Sequence, residues 1–447
     1  MLHKFIINLL LLPGMLFAQH TIKGTFSPPQ DYKVVLLYKV TPTLSNYLNN
    51  TKVDKNGVFQ FALDSTATAG IYRIVYAVPQ EDYNFDVIYN GKEDIELTFN
   101  SETGLKFIKS EENKLLSAYT NSLYSVTQSI SNYYREQRKD TMAIRAIFKN
   151  QREMQEAYEK KANGMIVSHF IKANKPYIPK KYENISTYVS NLKTHYFDHV
   201  NFKNPILQSS SFLQERMLNY VFGMRPDGID EVANYKKNID RFYAAMKTDL
   251  PIKAKRILLV DLWEQFKDLG QDKVANYIAE TYLMDIAVEL NDQQLIRDLM
   301  VLINTGIGEK APDFSIEMTQ NGKKVTKNLS DLNLAKQYVV VFWSSTCAHC
   351  LNELPNFARY IKNRPDVKVI AIGLEDGPGN WEKVKQRFPD FIHVYGAGHW
   401  DNEIGNIYGV RATPTYFILD KGKHIISKPN TLEDLEEFFD LQGMPSE

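Results

Sequence analysis

The stretch "VVVFWSSTCAHCLNELPNF", residues 339–357, decides the fold of the C-terminal part of the chain. It opens with an apolar run that is typical of a buried strand and continues with apolar residues at helical spacing. Cys347 and Cys350 lie where the predicted strand meets the predicted helix, and the sequence of 447 residues contains no other cysteine. The pair is therefore the first candidate for chemistry in this chain.

Strand and helix patterns alternate on both sides of the cysteine pair, over residues 306–447. Strand-like segments such as "QYVVVFW", "VKVIAIGL" and "TYFILD" are separated by helical patterns, the first of them from about residue 349 to 362. This alternation predicts an α/β sheet that is covered by helices on both faces. Gly306, Gly308 and Pro312 interrupt the preceding helical periodicity, so the predicted domain begins there.

The part of the chain before residue 306 shows two other patterns. Residues 19–100 hold alternating or continuously apolar segments separated by turn residues, which predicts an all-β, sandwich-like domain. Residues 101–305 carry apolar side chains at helical spacing without a repeat of fixed period, which predicts a helical domain or connector. The chain is thus expected to be multi-domain, with no recognisable chemical site in the first two parts.

Charge and the N-terminal residues bear on where the protein works. Lys and Arg together number 53, as do Asp and Glu, so no net charge favours binding to nucleic acid or to an anionic membrane. The N-terminal "MLHKFIINLLLLPGMLFAQ" predicts a secretory signal peptide over residues 1–18, cleaved after Ala18. A buried strand or a membrane anchor is the alternative, but the apolar run falls short of the ~20 residues that a spanning helix needs. We expect a mature protein that is soluble in the periplasm or cell envelope.

The cysteine pair is expected to be chemically active because an exported chain with one C-x-x-C pair has no structural disulfide framework. Cys347 precedes a predicted helix, whose N-terminus stabilises a thiolate. His349 can add positive charge or a hydrogen bond near that thiolate, and Cys350 is placed to attack a mixed disulfide formed by Cys347. The alternatives are an inert disulfide, half of a zinc site whose second half the sequence does not supply, or a copper site with a histidine ligand.

Four segments in this order resemble the TlpA/ResA-like branch of the thioredoxin superfamily: "GEKAPDF", "VVVFWSSTCAHCLNELP", "VIAIGLED" and "YGVRATPTYFILD". The resemblance implies a C-terminal thioredoxin-like domain in which Cys347 is the exposed nucleophile and Cys350 the buried resolving thiol. It also implies that Pro414 is a cis-proline facing the pair and that Thr413 offers its backbone to an extended substrate peptide.

Two further residues are candidates on this resemblance. Glu375 falls where the branch often has an acidic residue near the pair, so it is a candidate proton acceptor for Cys350, with a solvated loop acid as the alternative. Trp343, the aromatic at the strand end, is a candidate for substrate contact, with packing as its alternative. The implied cofactor is none beyond a redox-active Cys347–Cys350 disulfide, and no metal is expected.

The expected function is reduction of protein disulfides with electrons from a membrane donor, with cytochrome c maturation as one possible destination. Many relatives have Trp and Pro where this chain has Thr346 and His349, so the direction stays open and an oxidant or isomerase is an alternative. A peroxiredoxin-like peroxidase is another, although Val340 stands where that family's Pro-x-x-x-Thr/Ser-x-x-Cys loop has proline. The last alternative is a binding protein whose C-x-x-C pair is regulatory.

Overall fold

A computed structural model describes residues 20–80, 82–223, 230–320 and 322–442. The signal peptide predicted over residues 1–18 lies outside the described residues. Within those ranges, none of the helices has the length and apolar character needed to cross a membrane.

The described chain begins with two four-stranded sheets, with the strand orders β4-β1-β7-β8 and β3-β2-β5-β6. Aromatic and aliphatic side chains from both sheets form one buried core, as expected for a sandwich. The strands are β1 (His20–Ser27), β2 (Val34–Thr41), β3 (Leu44–Lys52), β4 (Val58–Leu63), β5 (Gly70–Val75), β6 (Asn84–Tyr89), β7 (Ile95–Asn100) and β8 (Gly104–Lys109).

Two strands of this part were not predicted from the sequence. Nearly all of β3 is exposed at a sheet edge, and its polar sequence "LSNYLNNTK" lacks the apolar alternation that marks a half-buried strand. Strand β8 lies beyond residue 100, so the β-rich part extends further than the sequence indicated.

Helices follow from Glu111 to Asn304, as the sequence predicted. Asn113 in the first of them bonds both backbone groups of Ile88, at 2.9 and 2.7 Å, and so attaches this helix to the sheet. The helices are α1 (Glu111–Arg135), α2 (Thr141–Lys161), α3 (Val167–Ala173), α4 (Ile185–Thr194), α5 (Pro205–Gln208), α6 (Phe212–Gly223), α7 (Glu231–Met246), α8 (Ile252–Asp268), α9 (Asp272–Ile278), α10 (Met284–Glu289) and α11 (Gln293–Asn304).

The chain divides into two compact units, and the division does not follow the three parts seen in the sequence. One unit comprises the described residues up to 223 together with 237–258, so it contains the sandwich and most of the helices. The other comprises residues 230–236 and 259–442, so the last helices belong with the C-terminal α/β part. In this second unit, α11 packs against the segment before the last strands, with Val301 beside Gly409.

The C-terminal part is the expected α/β sheet with helices. Its five-stranded sheet has the order β13-β12-β11-β14-β15, and a separate hairpin pairs β9 with β10. Strands β11, β12 and β13 are parallel, whereas β14 and β15 are antiparallel to their neighbours. The elements are β9 (Ser315–Gln320), β10 (Lys323–Asn328), β11 (Gln337–Trp343), α12 (Ala348–Ile361), β12 (Val367–Glu375), α13 (Pro378–Val384), β13 (Ile392–Ala397), α14 (Glu403–Ile407), β14 (Thr415–Leu419), β15 (Ile425–Ser427) and α15 (Leu432–Gln442).

The central strand β11 has a buried core on each face. Tyr338, Val340 and Phe342 pack into one hydrophobic cluster, and Val339, Val341 and Trp343 pack into the other. Successive side chains of a strand point to opposite faces, so burial on both sides requires a continuously apolar strand. The rigid strand ends directly before the cysteine loop and fixes the position of that loop.

Candidate active site

Cys347 is the N-cap residue of α12, directly after the loop that follows β11. Its sulfur accepts the backbone N–H of Cys350 at 3.2 Å, so the thiol takes the place that a Ser or Asp oxygen usually has at a helix start. The side chain is partly exposed. A sulfur in this position is open to solvent on one side and faces the positive end of the helix on the other.

Hydrogen bonds around Cys347 favour its ionised form. Partial burial acts to raise the pKa of this thiol, but hydrogen bonds from the Cys350 thiol, from the Thr413 side chain and from the backbone N–H groups of Cys350 and His349 outweigh it. The pKa of Cys347 therefore lies below its ordinary value. Since the thiolate is the nucleophilic form of a cysteine, Cys347 has the more nucleophilic ionisation state of the two thiols.

Cys350 is the opposite kind of thiol. Its side chain is fully buried in the cluster below the active-site helix. Burial, followed by the hydrogen bond with Cys347, raises the pKa of Cys350 to about 12. Both cysteines are free thiols in this structure. Cys350 is thus shielded from solvent and is largely protonated at neutral pH.

The loop before β14 brings a third element to the pair. The peptide bond between Thr413 and Pro414 is cis, as the resemblance implies. The Cys347 thiol donates a hydrogen bond to the Thr413 carbonyl at 3.4 Å. The structure therefore brings the cysteine pair, Thr413 and Pro414 together, and the substrate-binding role of the last two stays a prediction.

His349 does not use its ring as the sequence suggested. The imidazole is 71% exposed and its Nε2 lies 3.0 Å from the Glu353 carboxylate, one helical turn further on. The described residues include no hydrogen bond between this ring and the Cys347 sulfur. His349 acts on Cys347 through its backbone N–H, so the expected positive charge against the thiolate is not what the geometry provides.

Glu353 is the site residue that sequence reasoning underrated. Its side chain is only 12% exposed, and besides His349 it accepts the Tyr416 hydroxyl at 2.6 Å. Burial, and then the bond to Glu353, raise the pKa of Tyr416, which also lies close enough to Cys350 to be affected by its charge. The signal available in the sequence was the spacing of His349 and Glu353, since residues four apart on a helix are neighbours.

Glu375 is buried at the end of β12, the strand beside β11. Its carboxylate accepts the backbone N–H of Ser345 at 2.5 Å and the Ser345 hydroxyl at 2.8 Å. Asn380 donates a hydrogen bond to the Ser345 carbonyl at 2.8 Å. Both residues therefore hold the loop that leads to Cys347, and the alternative of a solvated loop acid is wrong for Glu375. Its role as proton acceptor for Cys350 stays a prediction.

The assignment of Trp343 to substrate contact is wrong. The indole has no solvent exposure and packs within the hydrophobic cluster that includes Cys350 and Phe388. A side chain without exposed surface cannot touch a substrate peptide, so Trp343 supports the strand end by packing. Within the described ranges, no group of three or more His, Cys, Asp or Glu side chains is arranged to hold a metal ion.

Comparison with known proteins finds a family match in the C-terminal part of the chain. Residues 307–428 match the model of the AhpC/TSA family. This segment contains the cysteine pair, the cis-proline loop and the sheet that joins them. Residues 307–428 form a thioredoxin-like domain. This match agrees with the thioredoxin-like fold predicted from the sequence for this part of the chain.

Solved structures similar to the chain come from Bacteroides and Cytophaga species. The thioredoxin domain of a thiol-disulfide oxidoreductase from Bacteroides vulgatus is 18% identical, with 31% of this chain and 97% of that chain covered and a TM-score of 0.27. A domain of a possible thiol-disulfide isomerase from Cytophaga hutchinsonii is 29% identical, with 31% and 92% covered and a TM-score of 0.26. A thioredoxin-like protein from Bacteroides caccae is 18% identical, with 60% and 97% covered and a TM-score of 0.32. No curated protein matches the chain.

Proposed function

We propose that this protein is a thiol-disulfide oxidoreductase of the cell envelope that reduces disulfide bonds in other proteins. The observation that carries the proposal is the contrast between its two thiols. Cys347 is partly exposed with a lowered pKa, and Cys350 is buried with a raised pKa, one helical turn away. A dithiol of this kind has one sulfur for attack and one for release.

The proposed reaction has two exchange steps. The Cys347 thiolate attacks one sulfur of a substrate disulfide, so a Cys347–substrate bond forms, the substrate bond breaks and the departing sulfur takes up a proton. Cys350 then gives up its proton and attacks the Cys347 sulfur, which forms the Cys347–Cys350 disulfide and releases the second substrate thiol. Two electrons pass from the protein to the substrate, and a membrane-bound dithiol donor is proposed to restore the reduced pair.

The position of His349 supports reduction over oxidation. A positive charge against the Cys347 thiolate would stabilise the reduced form and make the pair a stronger oxidant. Because the His349 ring pairs with Glu353 instead, the geometry removes that reason for an oxidising potential. We expect a potential near the roughly −270 mV of thioredoxin, and a value near −120 mV would make the protein an oxidant. Equilibration with glutathione followed by thiol counting measures it.

Trapping tests the proposed exchange steps. The variant Cys350→Ser should keep the nucleophile and lose the release step, so substrate proteins remain attached to Cys347 in cells. The double variant Cys347→Ser with Cys350→Ser is the matched control, because it keeps the fold and removes both thiols. Absence of any adduct specific to Cys347 would contradict the proposal, and fractionation of the same cells tests the envelope location.

Peroxide reduction is the second candidate, and the match to the AhpC/TSA family model favours it. Cys347 would then be oxidised by the peroxide to a sulfenic acid, and Cys350 would condense with it to a disulfide and water. Stoichiometric consumption of hydrogen peroxide by the reduced protein distinguishes this reaction from disulfide reduction. We expect it to be slow, since Val340 occupies the position of the proline in the peroxidase loop.

A further inference from the structure

Arg411 lies in the loop that leads from α14 to the cis bond before Pro414. Its side chain is exposed, and it has no hydrogen bond, ion pair or ring contact with another residue in the described part of the chain. The backbone around it is well anchored. Val410 is buried and bonds Gly405 at 2.9 Å, and the Thr415 hydroxyl donates to the Ala412 carbonyl at 2.7 Å. The loop therefore fixes the backbone of Arg411 and leaves its guanidinium without a partner in the described part of the chain.

Arg411 is close in the chain to the residue that contacts the Cys347 sulfur. Arg411 is two residues before Thr413, whose carbonyl is 3.4 Å from the Cys347 sulfur. Consecutive Cα atoms are about 3.8 Å apart, so the Cα atoms of Arg411 and Thr413 are within about 8 Å of each other. A polypeptide bound at Thr413 with its cysteine at Cys347 would pass beside Arg411.

Three ionisable side chains described above at the pair are held by internal partners. His349 and Glu353 face each other, and Glu375 is buried against Ser345. The exposed Asp376 follows β12, which borders β11 on the side opposite to β14. On the side of the cis-proline loop, Arg411 is thus a charge that a substrate can meet without displacing an internal partner.

We propose that Arg411 selects disulfide substrates with an acidic side chain close to the cysteine that reacts with Cys347. The inference rests on the proposed function and names the substrate class of the same site. A guanidinium presents a fixed fork of donors that matches a carboxylate with two parallel hydrogen bonds. Complementary charges at an interface favour encounter, and like charges oppose it. A basic residue at the same place in the substrate is therefore disfavoured.

The test compares short peptides linked as disulfide dimers, each with one cysteine and either Asp, Lys or Ala two positions before or after it. The reduced protein is mixed with each peptide, and the rate of peptide thiol release is followed after acid quenching. We expect the wild type to reduce the Asp peptide of one placement at least about threefold faster than the corresponding Lys peptide, with the difference falling as salt is added.

Variants assign that preference to Arg411. Arg411→Glu should invert the Asp-to-Lys ratio, and Arg411→Gln, which is a smaller change, should bring it close to one. Lys362→Glu is the matched control, because Lys362 is exposed and lies at the other end of α12, about 20 Å from Cys347, and it should keep the wild-type ratio.

The outcomes separate the two proposals. Equal rates for Asp and Lys peptides at both placements in the wild type, or a ratio that both Arg411 variants leave unchanged, would overturn the assignment of Arg411. Failure to reduce even the Ala peptides would instead refute the proposed reductase activity, and the substrate class would fall with it.

Discussion

The imidazole of His349 lies 3.0 Å from the Glu353 carboxylate, and that same carboxylate accepts the hydroxyl of the buried Tyr416 at 2.6 Å. The contact links an exposed residue between the two cysteines to a tyrosine that is near Cys350. His349 is therefore linked through Glu353 to a tyrosine beside the buried thiol.

The bond between Tyr416 and Glu353 should contribute measurably to stability. A hydrogen bond to a charged group is worth about 1.5–3 kcal/mol, and this one is largely shielded from water. We expect a coupling free energy in that range from a double-mutant cycle of Tyr416→Phe and Glu353→Gln, measured by denaturant unfolding. His349→Ala is the control, since an exposed ion pair contributes less than about 1 kcal/mol. Additive effects of the two substitutions would contradict this view of Glu353.

Alkylation kinetics should report the different ionisation of the two thiols. Because the pKa of Cys347 is lowered, more of it is thiolate at neutral pH than of a free cysteine, whose pKa is about 8.5. Iodoacetamide should therefore modify Cys347 alone, while Cys350, with a pKa near 12, stays protonated and buried. Mass mapping of the modified residue against pH gives both results.

The variant Cys350→Ala tests what lowers the pKa of Cys347. The hydrogen bond from Cys350 favours the Cys347 thiolate, so its loss should move the midpoint of Cys347 alkylation to higher pH. A midpoint that moves to lower pH, or stays in place, would show that the Cys350 thiol does not stabilise the thiolate.

Much of the domain and its reactive residues could be predicted from the sequence because the signals are local. The apolar strand before Cys347 and the helical spacing after Cys350 mark β11 and α12 within a residue. Contacts between distant segments could not be predicted in this way. The bonds from Glu375 to Ser345 join residues thirty positions apart, and the direction of the His349 ring depends on a rotamer. Strand β3 was missed because its edge position gives it no buried face.

The buried position of Trp343 leads to a prediction that separates packing from substrate contact. Trp343→Ala should destabilise the protein by about 3–5 kcal/mol, because a large side chain without exposure leaves a cavity. Trp343→Phe keeps most of the apolar volume and should cost less. The folded fraction of the Phe variant should reduce peptide disulfides with an unchanged KM. A raised KM at full folding would restore Trp343 as a substrate contact.

Gly409 lies just before the cis-proline loop and packs against the last helix of the helical region. Its φ is +68°, and a Cβ at this position would lie 2.4 Å from Cγ1 of Val301 in α11. Gly409→Ala should therefore destabilise the protein through backbone strain of about 1–2 kcal/mol and an additional steric clash. Adding Val301→Ala should relieve the clash and leave the strain. Gly379→Ala, with open space around its Cβ and no positive φ, is the control and should be close to neutral.

The same Gly409→Ala substitution should reach the active site. The loop after Gly409 ends at Thr413, whose side chain helps to lower the pKa of Cys347 through a hydrogen bond. If the clash displaces this loop, the pKa of Cys347 rises and its alkylation at neutral pH becomes slower, and Val301→Ala in the same chain should restore the rate in part. An unchanged alkylation rate in a destabilised Gly409→Ala protein would show that α11 supports the fold without positioning the cis-proline loop.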